Sequence, residues 1–196
     1  MKDQEIEVRA FVKSDDINST RKKILEAGAV SKGIRSIHDA YYCDKSCQKV
    51  EDAEMNEVGS YSVRIRREEK EGEVSISYNK KIITSEGDHN SWKEEEEPRT
   101  NFEEANQEMI DNGYKFFFDL DKNREKFNLD NMEICLEDIK NFGLGIEIEV
   151  MATKEESEEV KLKIKDFLKS IGVKEEAIVP KSITNIIMHE RAFKVR

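Results

Sequence analysis

The chain has 196 residues, of which 39% are charged, and a formal net charge of -10 at pH 7. That length fits one domain with a proper hydrophobic core, or at most two small ones. The acidic balance argues against a general nucleic-acid binder, which needs a basic footprint for the phosphate backbone.

The first predicted element is an extended stretch at residues 5–10. In a strand, successive side chains point to opposite faces, so Glu5, Glu7 and Arg9 share one face and Ile6, Val8 and Ala10 the other. The pattern returns near the other end, where Glu147 and Glu149 alternate with Ile146, Ile148 and Val150. A solvated surface strand has the same alternation. Two carboxylate pairs that meet across a closed sheet would instead hold a hard divalent cation, which prefers oxygen ligands.

Between these strands, Ser14, Asp15 and Asp16 offer caps for a short helix that carries Ile17, Ile24 and Leu25 and stops at Gly28. From Ile37 the pattern turns extended through Asp39, Tyr41, Tyr42 and Cys43, and residues 44–59 read as a polar, acidic loop. Residues 62–66 and 74–81 read as a hairpin around Glu71, Gly72 and Glu73. Arg64 and Arg66 share a face of its first arm; in the second, parity with Ser75, Ser77 and Asn79 favours Lys81 over Lys80.

Residues 93–97 read either as a solvated acidic edge or as a strand with Lys93, Glu95 and Glu97 on one face. Asn101 and Glu104 form a capping arrangement for a helix that closes at Gly113. Residues 114–129 are an aromatic strand with Leu120, Lys122 and Arg124 on one side. Residues 133–137 alternate with Glu133 and Glu137 polar-side, and a turn at 141–145 leads into the second glutamate pair. Residues 153–171 are the clearest helix, with Thr153 as cap, Glu156 three residues on and Gly172 as the stop. Residues 182–193 predict one more short helix.

About eight strand candidates thus pair an apolar face with a face of Glu, Lys or Arg. In an open sandwich those faces are solvated; in a closed barrel they line a lumen, which is tolerable only if acids, bases and bound ions interleave. Such a lumen suits a highly charged ligand. Two prolines, no low-complexity window and no fixed repeat give no linker, so residues 1–196 are read as a single domain. No apolar run follows Met1 and none elsewhere spans a bilayer, so no signal peptide or membrane segment is expected and the expected location is cytoplasmic. Cys43, Cys47 and Cys135 lack disulfide or zinc spacing, and His38, His89 and His189 are scattered.

Taken in order, these residues resemble the CYTH superfamily, the triphosphate tunnel metalloenzymes. Glu5, Glu7 and Arg9 resemble its E-x-E-x-K signature, and Asp39, Tyr41 and Tyr42 its aspartate-aromatic element. Arg64 and Arg66 resemble its R-x-R strand, Lys80 and Lys81 its lysine-ended strand, and Lys93 with Glu95 its basic-x-Glu strand. Lys122 and Arg124 are similar to its K-x-R strand, Glu137 through Glu147 and Glu149 to its acidic hairpin, and Lys181 with Ser182 to the start of its K-S-Y element. Three departures stand out: Arg9 replaces lysine, Glu137 replaces aspartate, and Ile183 replaces the tyrosine.

The resemblance implies an α+β fold: a closed eight-stranded antiparallel β-barrel, a tunnel open at both ends, with helices packed outside. It implies Glu5, Glu7, Glu137, Glu147 and Glu149 as ligands of Mg2+ or Mn2+. Arg64, Arg66, Lys81, Lys93, Lys122 and Arg124 are implied as phosphate ligands, and Arg9 and Glu95 as participants in the chemistry. The leading expectation is divalent-metal-dependent hydrolysis of tripolyphosphate, thiamine triphosphate or a nucleoside triphosphate. The alternatives are a class IV adenylyl cyclase, forming cyclic AMP and pyrophosphate from ATP, and a non-catalytic nucleotide or polyphosphate sensor. The expected partner is a triphosphate-containing small molecule, with no nucleic acid and no membrane, in a monomer or homodimer.

Overall fold

The computed structural model describes residues 4–12, 17–55, 57–84 and 91–191, with side chains as far as His189. The proposed caps Ser14, Asp15 and Asp16, and His89, lie outside the described residues. The chain runs β1 (Gln4–Val12), α1 (Ile17–Glu26), β2 (Val30–Asp44), β3 (Tyr61–Lys70), β4 (Glu73–Ile83), β5 (Ser91–Arg99) and α2 (Phe102–Asp111). It continues through β6 (Tyr114–Leu129), β7 (Met132–Ile139), β8 (Gly143–Ala152), α3 (Ser157–Ser170), β9 (Ile178–Val179) and α4 (Ile183–Arg191).

The strands form one antiparallel sheet in the order β5-β4-β3-β2-β6-β7-β8-β1, and pairing of Glu5 with Trp92 joins β1 back to β5. The sheet is therefore an eight-stranded closed barrel, with the two-residue β9 added on β1. Closure satisfies the backbone groups that an edge strand would expose. No helix of the described residues is long and apolar enough to cross a membrane.

The hydrophobic core lies outside the barrel wall. Ile6, Val8 and Ala10 of β1, Ile134 and Leu136 of β7, and Ile146 and Ile148 of β8 pack with Ile24 of α1 and Ile164 and Leu168 of α3. Ala40, Tyr42, Val63 and Ile65 pack in the same way against Ala105 and Met109 of α2. Because strand side chains alternate, burying these faces outward turns their polar partners inward. At one end of the barrel, Tyr41, Phe118, Leu120 and Ile139 meet Ile183, Ile187 and Met188 of α4.

Local chemistry fixes the joints. Glu71 (φ 53°) and Gly72 (φ 85°) both take the left-handed backbone that a tight two-residue hairpin between β3 and β4 requires. Asn101 accepts the Glu104 N–H at 3.0 Å to start α2. Thr153 donates its N–H and hydroxyl to Glu156 at 3.0 and 2.7 Å, but this pair opens a short 3-10 turn, and α3 proper begins only at Ser157. β2 starts at Val30, well before the expected Ile37, because an irregularity between Ser31 and Ile34 breaks the alternation there without ending the pairing with β6. Within the loop at 44–59, residues Val50–Ala53 form a 3-10 turn.

Ile148 is fully buried in the outer core. Ile148→Ala is expected to lower stability by about 2–5 kcal/mol in urea denaturation without changing the m-value; a loss below about 1 kcal/mol would contradict this placement of the core.

Candidate active site inside the barrel

The barrel encloses a cavity of about 260 Å³. Its lining carries eight cations, Arg9, Arg35, Arg64, Arg66, Lys81, Lys122, Arg124 and Lys126, against six carboxylates, Glu7, Glu68, Glu94, Glu96, Glu147 and Glu149. A chain of net charge -10 therefore gathers eight cations around one cavity, each paired with a carboxylate, and an anionic ligand could take the place of those carboxylates. The volume falls below the roughly 300–1,000 Å³ of drug-sized sites and suits something smaller.

On the acidic side, oxygen atoms of Glu5, Glu7 and Glu149 all lie within 4.8 Å of one another. β1 supplies the first two at alternate positions, and β8, paired with Glu7 opposite Glu149, supplies the third. Glu7 Oε2 is buried and forms ion pairs with Arg9 and, at 3.6 Å, with Lys81. Lys81 Nζ also donates to Glu5 Oε1 at 3.2 Å. Burial pushes the Glu5 carboxyl up to about 8; Lys81 opposes that shift, while Glu149 and Glu7 add to it. Three hard oxygen donors crowded this closely fit a divalent cation, which would relieve their repulsion.

On the basic side every cation has a carboxylate. Arg66 grips fully buried Asp39 through two bonds of 2.7 and 2.8 Å, and Arg64 Nε lies 3.7 Å from the same carboxylate. Arg64 also donates to Tyr41 Oη at 3.2 Å and to Glu94 at 3.3 Å. Lys122 and Arg124 donate to Glu137 Oε1 at 2.6 and 2.5 Å, and Arg124 reaches Glu147 at 3.0 Å. Burial alone would push Asp39 up, but Arg66 and Arg64 outweigh it and hold the carboxyl well below the usual range. The same contest at Glu137 is won by Arg124 and Lys122, which pull it down to about 2.

Arg9 is buried between Glu7 and Glu147, 3.5 Å from the latter, with its guanidinium over the Trp92 ring. Lys81 faces the cavity, whereas Lys80 lies outside over Tyr61.

The structure brings most of the expected residues together and divides them. Glu5, Glu7 and Glu149 form the acidic cluster, while Glu137 and Glu147 are tied into the cationic rows by Lys122, Arg124 and Arg9. Arg64, Arg66, Lys81, Lys122 and Arg124 line the cavity as expected. Lys93 and Glu95 do not. They pair with each other at 2.7 Å on the outer face of β5, the lysine 62% exposed, while Glu94 and Glu96 face inward. The face expected for this strand is therefore corrected. Both faces of β5 are polar, so hydrophobic alternation marks no inside; register with β4, which sets Glu94 opposite Lys81, decides it.

Sequence reasoning also missed Arg35 and Lys126. Parity with Asp39 and with Arg124 pointed to both, but β2 was begun too late and the basic face of β6 was stopped too early. Ser182, which the Lys181–Ser182 motif had singled out, and Thr184 line the cavity too, at the start of α4, where strand periodicity gives no signal.

The lowered carboxyls define an acid limb. Asp39 and Glu137 bind their protons less tightly folded than unfolded, so they contribute stability above about pH 4 that is lost as the pH falls further. Asp39→Asn is expected to cost about 3–5 kcal/mol at pH 7 by breaking a buried pair, and to shrink the stability lost between about pH 5 and 3. Denaturant melts at both pH values check this; an acid limb identical to the unsubstituted protein's would contradict it.

A comparison with curated proteins finds no match. Among solved structures, the PH1819 protein from Pyrococcus horikoshii superposes with a TM-score of 0.80 at 19% identity, covering 95% of this chain and 99% of that one. A candidate adenylate cyclase from Vibrio parahaemolyticus gives 0.76 at 15% identity, covering 95% and 99%. The candidate adenylyl cyclase HpAC1 from Hippeastrum, described as having a dominant triphosphatase activity, gives 0.63 at 14% identity, covering 96% and 95%. At these identities the likeness is one of fold. The CYTH domain profile matches residues 3–183, from the first glutamate strand to the start of α4, and the chain belongs to the CYTH domain family.

Proposed function

We propose that the barrel hydrolyses a triphosphate-bearing small molecule with Mg2+ or Mn2+ held by Glu5, Glu7 and Glu149. The observation that carries this reading is the three-carboxylate cluster standing beside the cationic rows of one small cavity. A row of phosphates needs cations spaced along it, and a divalent metal needs oxygen donors at one end. The membership of the CYTH family supports the same reading, and the triphosphatase activity ascribed to HpAC1 agrees in direction.

Arg64 and Arg66 on β3, and Lys122 and Arg124 on β6, the two strands that flank β2, would receive phosphate oxygens and hold the chain extended. Arginine suits this role because its planar fork meets two oxygens at once. Their present carboxylate partners keep these cations pointed inward before a ligand arrives. Lys81, between the acidic cluster and Glu94, sits where the metal end and the phosphate end would join. When bound, the cation would neutralise phosphate charge and supply an activated water.

Arg9 acts here as a positioning residue. A guanidinium does not give up its proton, and this one holds Glu7 and Glu147 as ion pairs. Glu94 and Glu96 take the inward place that had been expected of Glu95.

Incubation with Mg2+ or Mn2+ and a triphosphate, resolved by phosphorus NMR, is expected to release orthophosphate. Pyrophosphate with cyclic AMP would instead make the protein a cyclase, and binding without turnover a sensor. Glu5→Gln and Glu149→Gln are each expected to lower the metal-dependent rate by at least about a hundredfold, or roughly 2.7 kcal/mol of barrier, with the fold retained; unchanged rates in both would overturn the metal assignment. Tripolyphosphate with Mg2+ should raise the melting temperature through mass action on the folded state, and no shift at millimolar ligand would contradict a triphosphate site.

A further inference from the structure

We infer that Arg35 and Lys126 form a further anion station, at the end of the cavity remote from α4, that takes one phosphoryl group beyond the three of a triphosphate. The inference rests on the triphosphate reading above and extends it along the cavity. Neither residue has a role in that reading, yet both line the same cavity as Lys122 and Arg124.

The strands set the order of the cations. At one end α4 meets β2, where Thr184 Oγ1 lies 3.1 Å from the Tyr41 hydroxyl. Arg35 stands on β2 about 20 Å of extended chain away from Tyr41. On β6, Phe118 stacks on Tyr41 at 4.7 Å, and Lys122, Arg124 and Lys126 follow at alternate positions of one face. Lys126 is therefore the cation of β6 farthest from α4. Register sets Arg35 opposite Arg124, which leaves Lys126 diagonal to Arg35, within reach of long side chains. Together they continue the row that Arg64, Arg66, Lys122 and Arg124 begin.

These two cations are held more loosely than the rest of the row. Arg35 Nη1 donates to Glu68 Oε1 at 2.5 Å, and Lys126 Nζ donates to Glu133. Among the described residues each meets one carboxylate, whereas Arg124 reaches both Glu137 and Glu147. The side chains of Arg35 and Lys126 are 23% and 20% exposed, against 6% and 9% for Lys122 and Arg124. Ion pairs that water reaches contribute little stability, so a phosphate oxygen displaces either carboxylate readily. Arg35 Nε is also buried without a hydrogen-bond partner among the described residues, and an acceptor arriving there recovers what that donor loses by burial.

The surroundings give the station its ligand. Glu133, the partner of Lys126, stands opposite Glu149 of the acidic cluster in the pairing of β7 with β8. The station thus adjoins the metal end of the cavity, where cleavage of a terminal phosphate leaves orthophosphate. Two sources share the chemistry of a single phosphoryl group: the fourth phosphate of a longer linear chain, and the orthophosphate released from a triphosphate.

The test is steady-state consumption of tripolyphosphate, tetrapolyphosphate, ATP and thiamine triphosphate by the full chain with Mg2+, each repeated with added orthophosphate. If the station takes a fourth phosphate, kcat/KM for tetrapolyphosphate exceeds that for tripolyphosphate by about tenfold, the effect of one charge-assisted contact. If it takes the released product, tetrapolyphosphate has no advantage and orthophosphate inhibits. Arg35→Gln and Lys126→Gln should each abolish the preference in the first case and raise the orthophosphate inhibition constant about tenfold in the second. Lys126→Arg, which keeps the charge, should preserve the original pattern, a rescue that a merely structural role does not predict. Neither an advantage for tetrapolyphosphate nor inhibition by orthophosphate, or a pattern that both folded glutamine variants leave unchanged, overturns the station and leaves the triphosphate reading standing; no consumption of any of the four overturns both.

Discussion

The structure depends on placing a dense set of charges inside a closed sheet. Removing an ion from water costs several kcal/mol unless partners replace the solvent, and the barrel meets that constraint by interleaving signs on neighbouring strands. Asp39 lies between Arg64 and Arg66, Glu137 between Lys122 and Arg124, and Glu147 between Arg124 and Arg9. Against this background of pairing, the acidic cluster is the exception: Glu5, Glu7 and Glu149 crowd together with Lys81 as their shared counter-ion. Local excess of one sign of this kind is the arrangement that a bound divalent cation would relieve.

That interior is affordable only because the apolar free energy comes from elsewhere. Ile6, Val8, Ile146 and Ile148 alternate with the glutamates, and each points away from them into the layer under α3. One strand therefore serves two ends. Its outer face holds the helices and so fixes the register, and the register sets Glu7 opposite Glu149 and Arg9 opposite Glu147. A slip by one residue would exchange the two faces, burying carboxylates in the core and emptying the cavity of ligands.

This coupling explains how much could be read from the residues alone. Where a strand has one apolar face, as in β1, β7 and β8, alternation named both the strand and its inward side chains, and the ordered motifs led to the barrel. β5 defeated that logic because Lys93, Glu94, Glu95 and Glu96 are polar on both faces, so only hydrogen-bonded register with β4 shows which pair is inside. Arg35 was missed because Gly33 (φ 87°) and a break in pairing hide the start of β2. The packing of β6 was illegible for a similar reason: Phe116, Phe117 and Phe118 read as one apolar run, and only the extra residue in the pairing shows that two of the rings turn into the same cluster. Thr184 and Ser182 reach the cavity from a helix remote in sequence, which strand periodicity does not describe.

The central claim is that the clustered glutamates hold a divalent cation beside the phosphate-binding cations. It is tested most directly by titrating Mn2+ into the protein under electron paramagnetic resonance and then adding tripolyphosphate. The account predicts a saturable Mn2+ site that is lost on Glu7→Gln and whose spectrum changes when tripolyphosphate arrives. Mn2+ that stays free in solution, or binds equally well without Glu7 and ignores tripolyphosphate, would contradict it.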